Sequence, residues 1–278
     1  MVVFPNCKIN LGLTIIRKRD DGYHDLETVF YPLPLKEMVE ITPAPEATEA
    51  NIEFSASGNP VEGKPEDNLC WRAYYLLKKD FPLLPPIKMH LHKAIPSGAG
   101  LGGGSADGAA VLKMLNEKFK LQLSREQLIA YALQLGSDCP FFIVNKPCLA
   151  TSRGEQLEEI RIDLAGYNFF IVNPGIHVST ARAFSMITPG PAAVSIKEII
   201  ARPVETWHKD LKNDFEKPVF VTFPEIKAIK DTLYAAGALY AAMSGSGSTV
   251  FGIFPKDQTF SFHFPGHYFT KTLSGQTE

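Results

Sequence analysis

From Lys8 to Ile15 apolar and polar residues alternate, with Ile9, Leu11, Leu13 and Ile15 on one face and Lys8, Asn10, Gly12 and Thr14 on the other. A period of two predicts a strand with one buried face. Asp21-Gly22 marks a turn, and Leu26 to Tyr31, Met38 to Ile41 and Asn51 to Ser55 predict further strands. Asp67 or Asn68 is placed to cap a helix carrying Leu69, Trp71, Tyr75 and Leu76, and Ile87, Met89 and Leu91 restore the strand period. After a glycine-rich stretch, Val111, Leu112, Leu115 and Phe119 fall at helical spacing. Ser124 with Gln127 forms a capping box for a helix to about Leu135, where Gly136 is expected to supply a left-handed stop, and Phe141 to Val144 reads as a strand.

The second half repeats the mixture without repeating the sequence. Phe169 to Val172 predicts a strand, Thr180 to Met186 and Ser195 to Ala201 predict helices, and Pro224 to Ala236 predicts a helix ended by Gly237. A second glycine run, Met243 to Thr249, precedes a strand at Val250 to Phe254. The Arg-, Glu- and Gly-rich stretch at 152–163 is the best candidate for a boundary, giving domains of 1–158 and 159–278.

Composition narrows the chemistry. The 278 residues carry 28 Lys plus Arg against 30 Asp plus Glu, a formal net charge of -2 with both signs interspersed. No basic stripe follows a phosphodiester backbone and no polybasic or long apolar segment anchors to a bilayer, so nucleic-acid and membrane partners are not expected and the chain reads as cytoplasmic. Four cysteines, at 7, 70, 139 and 148, form no C-x-x-C pair, which argues for thiols rather than disulfides or zinc.

The order strand, glycine loop, helix at Pro96-Ser97-Gly98-Ala99-Gly100-Leu101-Gly102-Gly103-Gly104-Ser105-Ala106 carries the first functional signal. Glycines leave backbone N–H groups uncovered, and a helix start adds partial positive charge, so this arrangement suits a phosphate. Gly98, Gly100 and Gly103 satisfy G-x-G-x-x-G, but another helix follows where a dinucleotide fold needs a strand, and no Lys-Ser or Lys-Thr completes a Walker loop. An NAD-dependent oxidoreductase and a non-catalytic nucleotide binder stay open on the loop alone.

Three segments together, Pro5-Asn6-Cys7-Lys8-Ile9-Asn10-Leu11, the loop at 96–106, and Gly136-Ser137-Asp138-Cys139-Pro140-Phe141-Phe142, with Met243 to Thr249 as a fourth, resemble the signatures of the GHMP kinase superfamily. Asp21-Gly22-Tyr23-His24 and Glu66-Asp67-Asn68-Leu69 are similar to the branch whose acceptor is a cytidine diphosphate ester of methylerythritol, in the non-mevalonate route to isoprenoids. The resemblance spans residues 5–254. It implies a two-domain α+β fold, with a left-handed βαβ unit in the N-terminal domain, a ferredoxin-like C-terminal domain and the site in the cleft between. It implies transfer of the γ-phosphoryl group of ATP, with Mg2+, to the 2-hydroxyl of that ester. Homoserine or mevalonate kinases are the sister alternatives. A small-molecule substrate and a monomer or weak homodimer are expected.

By the same resemblance Lys8 and Asp138 are catalytic: Asp138 as base, Lys8 as the ammonium that keeps it ionised and offsets charge on the transferring group. Residues 96–106, with Asn68 and Lys93 near the adenine, are expected to hold ATP. Asn10, Tyr23, His24, Thr180, Phe184 and Gly245 are expected on the acceptor. The Tyr23 and Phe184 rings would sandwich the cytosine, and His24 would meet its hydrogen-bonding edge. The chain departs from the family pattern at Cys7 and Ser137, usually Ala, at Ser97, usually bulky and apolar, at Ala106, usually a second Ser, and at Ala181, commonly Pro. The protein ligands of the metal cannot be named from the sequence.

Overall fold

The computed structural model describes residues 1–44, 51–61 and 63–275. The strands are β1 (Val2–Val3), β2 (Asn6–Lys18), β3 (His24–Lys36), β4 (Met38–Pro43), β5 (Ile52–Gly58), β6 (Ile87–Lys93), β7 (Cys148–Thr151), β8 (Gln156–Glu159), β9 (Tyr167–Asn173), β10 (Tyr240–Met243), β11 (Val250–Pro255) and β12 (Phe269–Ser274). The helices are α1 (Leu69–Asp80), α2 (Gly103–Lys118), α3 (Arg125–Leu135), α4 (Cys139–Val144), α5 (Thr180–Ser185), α6 (Ile196–Ile200), α7 (Val204–Asp210), α8 (Glu216–Thr222) and α9 (Pro224–Ala235). They fall into two compact units that interleave along the chain. Unit 1 is Met1–Cys7, Leu35–Ser97 and Gly102–Asn145; unit 2 is Lys8–Pro34, Gly98–Leu101 and Lys146–Glu278.

Unit 1 holds a four-stranded sheet in the order β1-β4-β6-β5. β5 runs parallel to β6, with Phe54 opposite Met89, and α1 makes the crossover, so the expected βαβ unit is present. Along β6 the side chains of Ile87, Met89, Leu91 and Lys93 are buried while Lys88 and His92 face outward. Asn68 caps α1, its Oδ1 accepting from Cys70 N at 2.8 Å. The buried stripe of α1 is Cys70, Ala73, Tyr74 and Leu77; Trp71, Tyr75 and Leu76 sit only half-buried on its flank. α2 packs against α1 closely enough that a Cβ on Gly108 would lie 2.9 Å from that of Leu69.

Two expectations fail in this unit. Phe141 to Val144 belongs to α4, not to a strand: a short, mostly buried apolar run has no period to separate the two, and Pro140 in its first turn with left-handed Asn145 after it makes a short helix. Gly136 closes α3 with φ 168°, an extended conformation, rather than with a left-handed one. The Ser124–Gln127 capping box opens α3 as expected.

Unit 2 holds two four-stranded sheets, β2-β3-β7-β8 and β10-β11-β9-β12. Leu13, Ile15 and Leu26 join Phe170, Val172, Val219, Leu233, Met243 and Val250 in one buried cluster. The expectation of a half-buried β2 is also corrected. Lys8 and Asn10, on its polar face, are buried with Thr28 of β3 and Ser244. α7, α8 and β12 escape sequence reading because α7 and α8 start after Pro203 and Phe215 without a capping side chain, and β12 lacks an apolar alternation. Among the described residues no helix is long and apolar enough to cross a membrane.

Candidate active site

The glycine loop reaches α2 through left-handed backbone at Gly98, Gly100 and Gly102, with φ of 67°, 78° and 71°. Gly102 is the N-cap of α2 and supplies no side chain, so the amides of Gly103, Gly104 and Ser105 open a sixteen-residue helix without a capping group. A Cβ on Gly104 would meet nothing within 4 Å, so that glycine is not demanded by packing inside the protein. Bare amides at a helix start, with their field unscreened, are an anion cradle. Ala106 differs from its neighbours: its N–H bonds Gly102 O and its methyl is buried.

Beneath this cradle unit 1 buries three charged groups. Lys93 Nζ donates to Glu37 Oε2 at 2.6 Å and to Asp107 Oδ2 at 3.0 Å, and Ile95 N donates to Glu37 Oε1 at 3.1 Å. A Cβ on Gly103 would come within 3.0 Å of Glu37 Oε2 and 3.3 Å of Lys93 Nζ. The strand that enters the loop and the helix that leaves it are thus tied to one ammonium. Burial drives the Asp107 carboxyl well above the usual range, against the pull of Lys93, and Asp107 Oδ1 is a buried oxygen with no partner. Lys93, expected at the adenine, is directed inward to these carboxylates. Asn68 spends its carbonyl oxygen on the α1 cap.

Asp138 is the N-cap residue of α4, and its side chain makes no cap hydrogen bond to that helix. Next to it, the Cys139 thiol is pushed up to about 12 by burial, and a hydrogen bond links it to Ser105 in the first turn of α2. Among the described residues no three His, Cys, Asp or Glu side chains converge as a metal cage.

In unit 2 the polar face of β2 is a chain of buried hydrogen bonds. Lys8 Nζ donates to Asn10 Oδ1 at 2.7 Å and lies 4.6 Å from the Phe30 ring centre; Asn10 Nδ2 donates to Thr28 Oγ1 at 3.0 Å. Lys8 N donates to Leu101 O, and Ser244 Oγ accepts from Asn10 N at 3.2 Å. Gly245, left-handed at φ 58°, lies against Asn10 and Gly100, and Asn213 Nδ2 braces its carbonyl at 2.8 Å. Lys8, Asn10, Gly100 and Gly245 are therefore assembled as one cluster. Thr180 Oγ1 shares a hydrogen with Ser246 Oγ at 2.9 Å.

The aromatic pair expected for a base is arranged differently. The Phe184 ring stacks on His24, centroids 4.7 Å apart and 20° from parallel, and meets Phe215 edge-on. Tyr23 is 55% exposed and carries the Arg153 guanidinium on its ring at 4.8 Å. Burial, then the charge of Lys18, lowers the pKa of His24, so its imidazole is neutral at pH 7. A separate groove of about 970 Å³ in unit 2, bordered by Ile187, Asp214 and Phe220, touches none of the expected acceptor residues. Sequence reading missed Glu37, Asp107, Thr28, Asn213 and Arg153, which lie outside the quoted motifs, and Ser244, which lies within the second glycine run; each matters only through its partner.

The family model described as GHMP kinases N terminal domain matches residues 68–146, and the one described as GHMP kinases C terminal matches 195–260. A relative from Bacteroides fragilis named 4-diphosphocytidyl-2-C-methyl-D-erythritol kinase is 52% identical over 258 residues, 93% of each chain. One of the same name from Bacteroides thetaiotaomicron is 52% identical over 259 residues, 93% of this chain and 94% of the other. A solved crystal structure of 4-(cytidine 5'-diphospho)-2C-methyl-D-erythritol kinase superposes with a TM-score of 0.80 at 27% identity, covering 99% of this chain and 100% of that one.

Proposed function

Because the chain belongs to the GHMP kinases, among the members named 4-diphosphocytidyl-2-C-methyl-D-erythritol kinase, we infer that it transfers the γ-phosphoryl group of ATP to the 2-hydroxyl of that cytidine diphosphate ester. The products are ADP and the 2-phosphate, a step of non-mevalonate isoprenoid synthesis. One observation carries the reading. A long helix with an uncapped first turn opens from left-handed glycines, leaving Gly103, Gly104 and Ser105 amides to bind the phosphates.

Phosphoryl transfer asks the protein for positioning, for charge stabilisation and for one group to take the hydroxyl proton. Asp138, at the start of α4 and placed by the family motif, is the proposed base. Lys8, held by Asn10 with its ammonium in a buried setting, would stabilise charge on the transferring phosphoryl oxygens. Mg2+, where bound, would offset negative charge on the phosphates, with Ser105 Oγ, in the first turn of α2, as the protein oxygen proposed to approach it. Asn10, Gly245 and Thr180 would line the acceptor side. Phe184 and Tyr23 would supply ring faces for the cytosine, and neutral His24 would offer one donor and one acceptor to its edge. Lys93 supports the loop through Glu37 and Asp107 in this reading.

The test is turnover of the purified chain with ATP, Mg2+ and the cytidine diphosphate ester, beside homoserine, mevalonate and galactose. Turnover of the ester is expected, with Asp138→Asn lower by about two to four orders of magnitude at unchanged ATP affinity. Preference for another alcohol would reassign the acceptor.

A further inference from the structure

The turn between β7 and β8 is built to hold one side chain. Ser152 is left-handed at φ 60°, its carbonyl accepts from Leu26 N at 2.7 Å, and its hydroxyl accepts from Arg19 Nη1 at 3.1 Å and donates to Glu155 Oε1 at 3.0 Å. Glu155 Oε2 accepts the amide of Arg153 at 2.8 Å. The four residues 152–155 are thereby fixed against the β2–β3 hairpin, and Arg153 projects from them onto the ring of Tyr23. A non-glycine residue in left-handed backbone costs free energy, which makes this placement a maintained one.

Charge pairing around the hairpin is uneven. Arg17 pairs with Asp25 at 2.6 Å, and Arg19 pairs with Asp25 and with Asp21, both at 3.0 Å. Arg153 pairs through Nε with Glu155 at 3.6 Å, the longest of these ion pairs, and its charge also acts on Asp21; among the described residues no hydrogen bond engages its two Nη nitrogens. Its guanidinium carbon lies 4.8 Å from the centre of the Tyr23 ring, a cation–π contact that leaves the Nη donors uncommitted. A planar fork with such donors matches two oxygens of a phosphate. It stands on the very ring expected to receive a nucleobase.

We propose that Arg153 binds the diphosphate of the acceptor and so selects a nucleoside diphosphate ester over an uncharged alcohol or a bare nucleoside; this rests on the acceptor assignment above. Tyr23 serves twice, one face carrying the arginine and the other left for the base. Arg153 makes no bond to the reacting hydroxyl, so it acts on binding and not on the chemical step.

The experiment measures inhibition by cytidine and by CDP, each competing against the ester at saturating ATP, in the wild-type chain, Arg153→Ala and Arg153→Lys. In the wild type CDP is expected to bind at least about tenfold more tightly than cytidine, as charge-assisted hydrogen bonds allow. In Arg153→Ala that advantage disappears while the cytidine constant holds. KM for the ester rises about tenfold or more, and kcat and the KM for ATP stay within about twofold. Arg153→Lys keeps part of the advantage. An undiminished preference for CDP in Arg153→Ala overturns the proposal and leaves the acceptor assignment standing. Equal weakening of cytidine and CDP overturns it in favour of a purely structural contact with Tyr23. A wild-type chain that turns over another alcohol and is inhibited by neither compound removes the acceptor assignment and the proposal with it.

Discussion

Ser244 Oγ donates to the carbonyl oxygen of Gly100 at 2.8 Å, and a side chain at Gly100 would run into the backbone carbonyl of Ser244. The second glycine loop thus presses directly on the first, at a residue whose φ of 78° already excludes most side chains.

Gly100→Ala is therefore expected to cost about 2–4 kcal/mol of stability, through backbone displacement together with left-handed strain, and to raise the KM for ATP. Gly104→Ala is the matched control. It sits in a helix with open space where the methyl would go, so stability should be unchanged or higher by up to about 1 kcal/mol. Its methyl would still enter the phosphate cradle and raise the KM for ATP. Thermal unfolding and ATP kinetics on both variants check the pair; equal loss of stability in the two would contradict it.

Asp107 gives a pH prediction. Burial raises its folded pKa above the unfolded value of about 3.8, so the folded chain holds a proton that the unfolded chain has lost. Stability contributed by this group is therefore present below pH 3.8 and declines as pH rises toward the folded pKa. Asp107→Asn keeps an oxygen for Lys93 and has no proton to lose. Its melting temperature relative to the wild type should climb between pH 4 and pH 7. A constant deficit at every pH would mean that the carboxylate is ionised and required.

His24 predicts the opposite sense for binding. Its pKa is lowered, by burial first and by Lys18 second, so the neutral ring persists below the ordinary histidine value of 6.5. Cytidine inhibition should be flat from pH 8 to 7 and weaken only at pH values below 6.5, and His24→Ala should be weaker and flat throughout. Stability follows the same sign, since an unfolded chain takes up the proton first and gains from acid. A midpoint above pH 7 in the inhibition profile would refute the assignment.

Local signals in the sequence were sufficient for much of the framework. The period-two run at 8–15 forms the expected strand, though with both faces buried, and the Ser124–Gln127 capping box and the Gly237 end of α9 form as read. α4 escapes the period because five of its six residues are buried and it has no exposed face to set one. Gly136 was misread because a glycine after a helix permits a left-handed stop without requiring one.

What the amino-acid order determined by itself was the kind of chemistry: glycines between a strand and a helix, and family motifs around Lys8 and Asp138. Those depend on neighbours a few residues apart, where backbone conformation is decided. The tertiary structure alone decided which groups become partners. Lys93 turns inward because Glu37, 56 positions away, meets it in the buried interior. His24 covers Phe184, and Arg153 reaches Tyr23 from a turn 130 residues downstream. A buried charge or a stacked ring takes its energy from whatever desolvates it, and that neighbour is chosen by packing rather than by sequence distance.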